Sequence, residues 1–164
     1  VAWWKVYYPR EYYAVYFSTR CDFYEIDTLI QGKDAIMARR EEITRLRAER
    51  SASNKDEGLW DVFEIALEMI ERGFHFSPIS LEYSQASKFI LDPNDDHALI
   101  PPFSAIDALG DAVAKTVIEA REKGPFLSKE DVIKRTKLNN SHIKTLTKMG
   151  VFNGMQERNQ LSLF

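Results

Sequence analysis

Leu59-Trp60-Asp61-Val62-Phe63-Glu64-Ile65-Ala66-Leu67-Glu68-Met69-Ile70-Glu71-Arg72-Gly73 is the stretch that decides the fold class. Leu59, Val62, Phe63, Ala66, Leu67 and Ile70 follow one another at spacings of three, one, three, one and three residues, which lines one face of an α-helix and no face of a strand. That face is expected to be buried, and Gly73 is expected to stop the helix. Upstream, Ser51-Ala52-Ser53-Asn54 breaks the pattern, and residues 33 to about 50 read as a charged surface helix with a thin stripe of Ala35, Ile36, Ile43 and Leu46. A shorter helix over 27–31 ends at Gly32.

The N-terminal end has a different composition. Ten of the twenty aromatic residues fall between Trp3 and Tyr24. Pro9 is tolerated in the first turn of a helix and not in its interior, so two helices are expected with a break there, the second running to about Arg20. Tyr12, Tyr13, Tyr16 and Phe17 then share one broad aromatic face. Aromatics near basic residues can stack on bases, but a stripe at helical spacing reads as core or domain interface.

Downstream of Gly73 the helical period disappears until Phe103. Short strands are expected at 79–81, 88–91 and 98–100, with Pro93-Asn94-Asp95-Asp96 turning between the last two and Pro101-Pro102 closing the element. Residues 105–150 read as a compact run of short helices. One opens at Asp111 or Ala112 and ends at Gly124-Pro125. The next is capped by the pair Ser128 and Asp131 and stops near Thr136, and a third carries Ile143, Leu146 and Met149 behind Asn139-Asn140-Ser141 and ends at Gly150.

With 164 residues and 45% apolar composition the chain can bury a core, as one domain or two small ones. Lys5, Pro9, Arg10 and Glu11 interrupt the aromatic run, which excludes a membrane span or the apolar region of a signal peptide there. No membrane association is expected. The single Cys21 cannot form an internal disulfide and fits a reducing cytoplasm. The opening at Val1, without a capping residue before the first helical stretch, reads as a piece of a longer polypeptide.

A net charge of −3 conceals an uneven distribution. Residues 1–104 carry 12 Lys and Arg against 18 Asp and Glu, whereas residues 105–150 carry 9 against 6. Lys134, Arg135, Lys137, Lys144 and Lys148 follow one another with no acid among them. Such a run suits phosphate binding and equally suits a solvated helix face. His75, His97 and His142 are too scattered for a metal site, with His75 read as a helix-exit or surface residue, and the carboxylates of Asp92 to Asp96 read as a solvated turn. No catalytic constellation, glycine-rich phosphate loop or cofactor site is present.

Ile106-Asp107-Ala108-Leu109-Gly110-Asp111-Ala112-Val113-Ala114, continuing to Ala120-Arg121, resembles a helix-hairpin-helix element. The resemblance implies a tight hairpin that presents the first N–H groups of the following helix to a DNA phosphate without reading bases. Ala108 stands where the pattern usually has glycine, Asp107 where proline is common, and Asp111 adds a carboxylate. Residues 129–150 look like a second, degenerate copy with its turn at Leu138-Asn139-Asn140, and this half is the preferred DNA contact. A plain helical pair with capping residues is the alternative. The candidate DNA-binding residues are Gly110, Lys115, Lys137, Asn139, Asn140, Ser141, His142 and Lys144.

The run Lys5-Val6-Tyr7-Tyr8-Pro9 with Glu11-Tyr12-Tyr13 and Tyr16-Phe17-Ser18, then Ala66-Leu67-Glu68-Met69 with Arg72-Gly73-Phe74, Ile100-Pro101-Pro102-Phe103 and the terminal Gln160-Leu161-Ser162-Leu163-Phe164 together resemble the C-terminal part of PolC-type bacterial DNA polymerase III alpha subunits. That resemblance implies a mainly α protein: a helical end of the fingers over 1–73, a small β-containing connector over 74–104, tandem helix-hairpin-helix elements that bind duplex DNA over 105–152, and an extended, flexible tail over 153–164. In that tail Gln160, Leu161, Ser162, Leu163 and Phe164 would bind the bacterial sliding clamp, the glutamine by hydrogen bonds and the leucine and phenylalanine in apolar pockets. The family's nucleotidyl transfer uses Mg2+ on palm aspartates, and its 3'–5' exonuclease is a separate region. Neither has a counterpart in this chain, so no catalytic, metal or cofactor residue is expected. A free-standing helix-hairpin-helix repair accessory protein that visits the clamp is the alternative.

Overall fold

The computed structural model describes residues 2–159. Eight α-helices and a small sheet follow one another: α1 Ala2–Tyr7, α2 Pro9–Thr19, α3 Ile26–Gln31, α4 Lys33–Ala48, α5 Asn54–Glu71, β1 His75–Phe76, β2 Ile90–Leu91, β3 Ala98–Ile100, a 3-10 turn Phe103–Ala105, α6 Asp111–Glu122, α7 Lys129–Arg135 and α8 Asn140–Lys148. The protein is mainly α, as its periodicity implies. Among the described residues no helix is long and apolar enough to cross a membrane.

The helix at 54–71 starts where its cap is encoded. Ser53 Oγ accepts the Asp56 N–H while an Asp56 carboxylate oxygen accepts the Ser53 N–H, a reciprocal capping box. Leu59, Val62, Phe63 and Ala66 are buried as expected, but the stripe turns slightly toward its end, so that Met69 is fully buried and Leu67 and Ile70 only partly. The charged helix α4 packs on α5 through Ile36 and Ile43, both 0% exposed. It also packs against α3, and the face that carries Met37, Glu41 and Thr44 remains at the surface.

Pro9 is the first residue of α2, which explains the break from α1. Tyr13 and Phe17 point into the core, with Tyr12 and Tyr16 half-buried beside them. The Tyr13 hydroxyl donates to Glu68 at 2.6 Å and accepts from Arg72 at 3.1 Å, which pins α2 to α5. Burial and the bond to Glu68 push that phenol up to about 12, so it remains a donor across the working pH range.

The sheet has the order β1-β3-β2, with β1 parallel and β2 antiparallel to β3. Residues 79–81, expected as a strand, are not one. Ile79 and Leu81 are buried, so their apolar signal is real, but Ser80 Oγ accepts the N–H groups of Glu82 and Tyr83 and turns the chain. The strand is formed instead by His75 and Phe76, and His75 lies on its exposed side, 3.0 Å from Asp95. Phe17, Phe76 and Phe89 meet under the sheet, and the core runs on without a gap through Phe103, Leu109, Val117 and Leu146 to Phe152.

Candidate nucleic-acid interface

Ile106 and Leu109 are both buried, which anchors the segment before α6 at two points and forces a tight turn between them. Ala108 takes the strain at φ 63, a left-handed conformation that costs a non-glycine residue roughly 1 kcal/mol. Asp107 is tied outward to Lys55 at 3.0 Å. Gly110 caps α6 in extended conformation, φ −74 and ψ 158, with no side-chain cap. A Cβ there would meet nothing within 4 Å, so no neighbour in the fold excludes a side chain at this position. The N–H groups of Asp111 and Ala112 have no hydrogen-bond partner among the described residues. Arg121, at the far end of α6, donates to the carbonyls of Leu81 and Ser84 and fixes the helix to the connector.

The second hairpin lies between α7 and α8. Ser128 caps α7 by accepting the Asp131 N–H at 3.0 Å. Asn139 caps α8, accepting the His142 N–H at 2.9 Å. Neither asparagine adopts a positive φ: Asn139 acts as the cap, and Asn140 is the first residue of the helix. At the other end Gly150, at φ 78, lets the Val151 N–H close on Leu146 O. The N–H groups of Asn140 and Ser141 have no hydrogen-bond partner among the described residues.

The basic run resolves into two groups. Lys134 pairs with Glu130 at 2.8 Å, and Arg135 donates to Asp131 and to the carbonyls of Ala120, Gly124 and Pro125, where it closes the end of α6. Lys115 pairs with Asp111 at 2.7 Å. Lys137, Lys144 and Lys148 are exposed and make no ion pair among the described residues. Asn140, Lys144 and Lys148 stand four apart and so share one face of α8, with Ile143 and Leu146 buried on another. That exposed face and the two helix starts make up the candidate nucleic-acid surface.

Not every candidate residue reaches that surface. Gly110, Lys137, Asn139, Asn140, Ser141 and Lys144 are exposed, and Lys115 is exposed with its charge shared by Asp111. His142 is 5% exposed, and both ring nitrogens are engaged within the protein. Gln160, Leu161, Ser162, Leu163 and Phe164 lie outside the described residues. The stretch leading to them is held: Lys129 and Glu130 donate their N–H groups to Gln156 and Glu157 carbonyls, and Ser128 Oγ donates to Asn159 Oδ1 at 2.7 Å. Ala108 and Thr116 were not legible as participants. His142 was read as a phosphate contact, and the signal that points its ring inward instead is the capping-box spacing Asn139-x-x-His142, with histidine in the place of the usual glutamate.

Residues 73–161 match the helix-hairpin-helix motif family, and the chain belongs to that family. Over its 164 residues it is 45% identical to the DNA polymerase III PolC-type of Oceanobacillus iheyensis, and 43% identical to those of Listeria monocytogenes and Streptococcus thermophilus. Each match takes in 100% of this chain and 11% of the relative, so the chain corresponds to one part of a PolC-type polymerase.

Proposed function

We propose that this chain is the part of a cytoplasmic, replicative DNA-directed DNA polymerase that grips product duplex and tethers the enzyme to its sliding clamp. The observation that carries the first half is the pair of helix starts, Gly110 to Ala112 and Asn139 to Ser141, each with unpartnered N–H groups and with Lys137 and Lys144 beside them. Unpaired N–H groups and the helix dipole both favour a phosphate, and neither distinguishes one base from another. The grip is therefore indifferent to sequence, which suits an enzyme that must move along any template. The second half rests on the terminal pentapeptide and its likeness to clamp-binding motifs. Two weak contacts made together raise each other's effective concentration, and processivity follows.

Nucleotidyl transfer and 3'–5' exonuclease action belong to other parts of the polymerase. Among the described residues no group of three His, Cys, Asp or Glu side chains is placed to hold a metal ion, and nothing here is assigned to holding the magnesium ions of the whole enzyme.

Gly110→Ser separates folding from binding. Serine at this cap can accept the Val113 N–H and restricts the unfolded chain, so stability is expected to rise by a few tenths to about 1 kcal/mol. Its side chain would stand in the open space at the helix start, and duplex affinity is expected to fall about tenfold. Thermal melting and duplex titration read the two effects. Unchanged affinity in the stabilised variant would remove this helix start from the interface.

Deletion of residues 160–164 tests the tether. Clamp binding is expected to weaken at least about a hundredfold, since two large apolar anchors are lost together. Equal clamp affinity with and without the pentapeptide, measured by surface plasmon resonance, would place the clamp contact elsewhere.

A further inference from the structure

One imidazole belongs to both hairpins. His142 Nδ1 accepts the Asn139 N–H at 3.2 Å and so completes the cap of α8. With Nδ1 accepting, the proton of the neutral ring lies on Nε2. Nε2 then donates to Ala108 O at 3.0 Å, in the turn before α6. A second bond crosses in the opposite sense: Thr116 Oγ1, on α6, accepts the Lys137 N–H at 3.0 Å while donating to Val113 O at 2.7 Å. Each hairpin lends one side chain to the other's backbone.

The places these bonds touch are telling. Ala108 lies two residues before Gly110, and its left-handed backbone is the strained point of the first turn. Lys137 lies two residues before Asn139, on an exposed backbone that water could serve equally well. Capping of α8 alone needs only the Asn139 side of the ring. The outward-reaching bonds fix the start of α6 relative to the start of α8.

We infer that His142 and Thr116 are positioning residues that hold the two helix starts at one separation, so that both grip phosphates of a single duplex at once. This rests on the duplex-binding reading above. His142 therefore acts on DNA through Ala108 and Asn139, from inside the protein, and touches no phosphate itself. With the starts locked together, the second contact forms without a further search. If either cross-bond is cut, one start wanders and its phosphate contact is lost part of the time.

The test uses the full-length polypeptide that carries this chain, with duplex affinity measured by fluorescence anisotropy at several salt concentrations. The wild type is compared with His142→Phe, His142→Gln and Thr116→Val. The Phe and Val variants are each expected to lower the slope of log affinity against log salt by about 1, and affinity at low salt about tenfold. Gln, whose amide can accept from Asn139 and donate toward Ala108, is expected to restore most of both. A side chain that only stabilises the fold would lower the melting temperature and leave the slope alone. Thr116→Val keeps the test open if His142→Phe misfolds, because it leaves the buried ring in place. A wild-type slope retained in the folded variants would overturn this inference alone. A wild type whose slope is insensitive to Gly110, Lys137 and Lys144 substitutions would overturn the duplex-binding reading, and this inference with it.

Discussion

Phe17→Ala is expected to destabilise the protein by about 3 to 5 kcal/mol, the range for emptying a packed aromatic site. Phe17 is 0% exposed, and its ring centroid lies 5.1 Å from that of Phe76 and 5.6 Å from that of Phe89. It is therefore the ring on which α2, β1 and the segment before β2 meet. Phe76 and Phe89 also touch one another, at 5.9 Å, so the cavity left by alanine is walled by two rings that already hold each other in place and cannot both collapse into it. The neighbouring Ser18 adds a backbone link, accepting the Phe89 N–H at 2.8 Å. Domains of this size are stable by about 5 to 15 kcal/mol, so the substitution removes about a fifth of the total or more. Urea denaturation measures it. Tyr8→Ala, on a ring 44% exposed, is the control and is expected to stay within about 1 kcal/mol of wild type. A loss below about 1 kcal/mol for Phe17→Ala would show that the sheet does not depend on α2.

The same cluster shows what the sequence could and could not disclose. Phe17 was readable as a buried face because helical spacing is a local property, repeated every few residues. The two-residue strand at His75 was not, because its pairing with β3 spans more than twenty residues and its short length leaves no alternation to read. Ile79 and Leu81 carried an apolar signal that strands and buried turns share, and only the Ser80 hydroxyl distinguishes them. At the interface, Asn139 and Ser128 were legible as caps, since capping is written in three or four consecutive residues. The exchange of bonds between hairpins was not. Ala108 stands where the hairpin pattern has glycine, which marks the turn but not the carbonyl that His142 reaches, and Thr116 looks like any exposed helical threonine until the fold brings Lys137 to it. Nor could the basic run disclose which of its charges are free: Lys134 and Arg135 are neutralised or consumed by partners in their own helix and at the end of α6, leaving Lys137, Lys144 and Lys148 to face solvent.

Arg39→Ala is expected to cost about 3 kcal/mol at neutral pH, the low end for breaking a buried ion pair. Its guanidinium reaches Glu25 at the cap of α3 at 3.0 Å and Asp56 in the first turn of α5 at 2.7 Å, with Glu42 on its own helix at 3.2 Å. Three helices thus share one cation. The Asp56 side chain is only 12% exposed, so alanine leaves a largely buried carboxylate facing Glu25 without the charge that separates them. The Ser53 hydroxyl and backbone N–H, and after them Arg39, lower the Asp56 pKa from 3.8 to about 2. Because the folded value lies below the unfolded one, this group stabilises the protein fully above about pH 4, and its contribution is lost as pH falls through about 2. Arg39 contributes part of that depression and Ser53 the rest. The stability difference between wild type and Arg39→Ala is therefore expected to be widest from pH 5 to 7 and to narrow as Asp56 takes up its proton. Urea midpoints at pH 7, 4 and 2.5 follow this directly. A gap that stays constant across those three pH values would assign Arg39 a packing role along its aliphatic stem and leave the charges of Glu25 and Asp56 to be balanced by solvent.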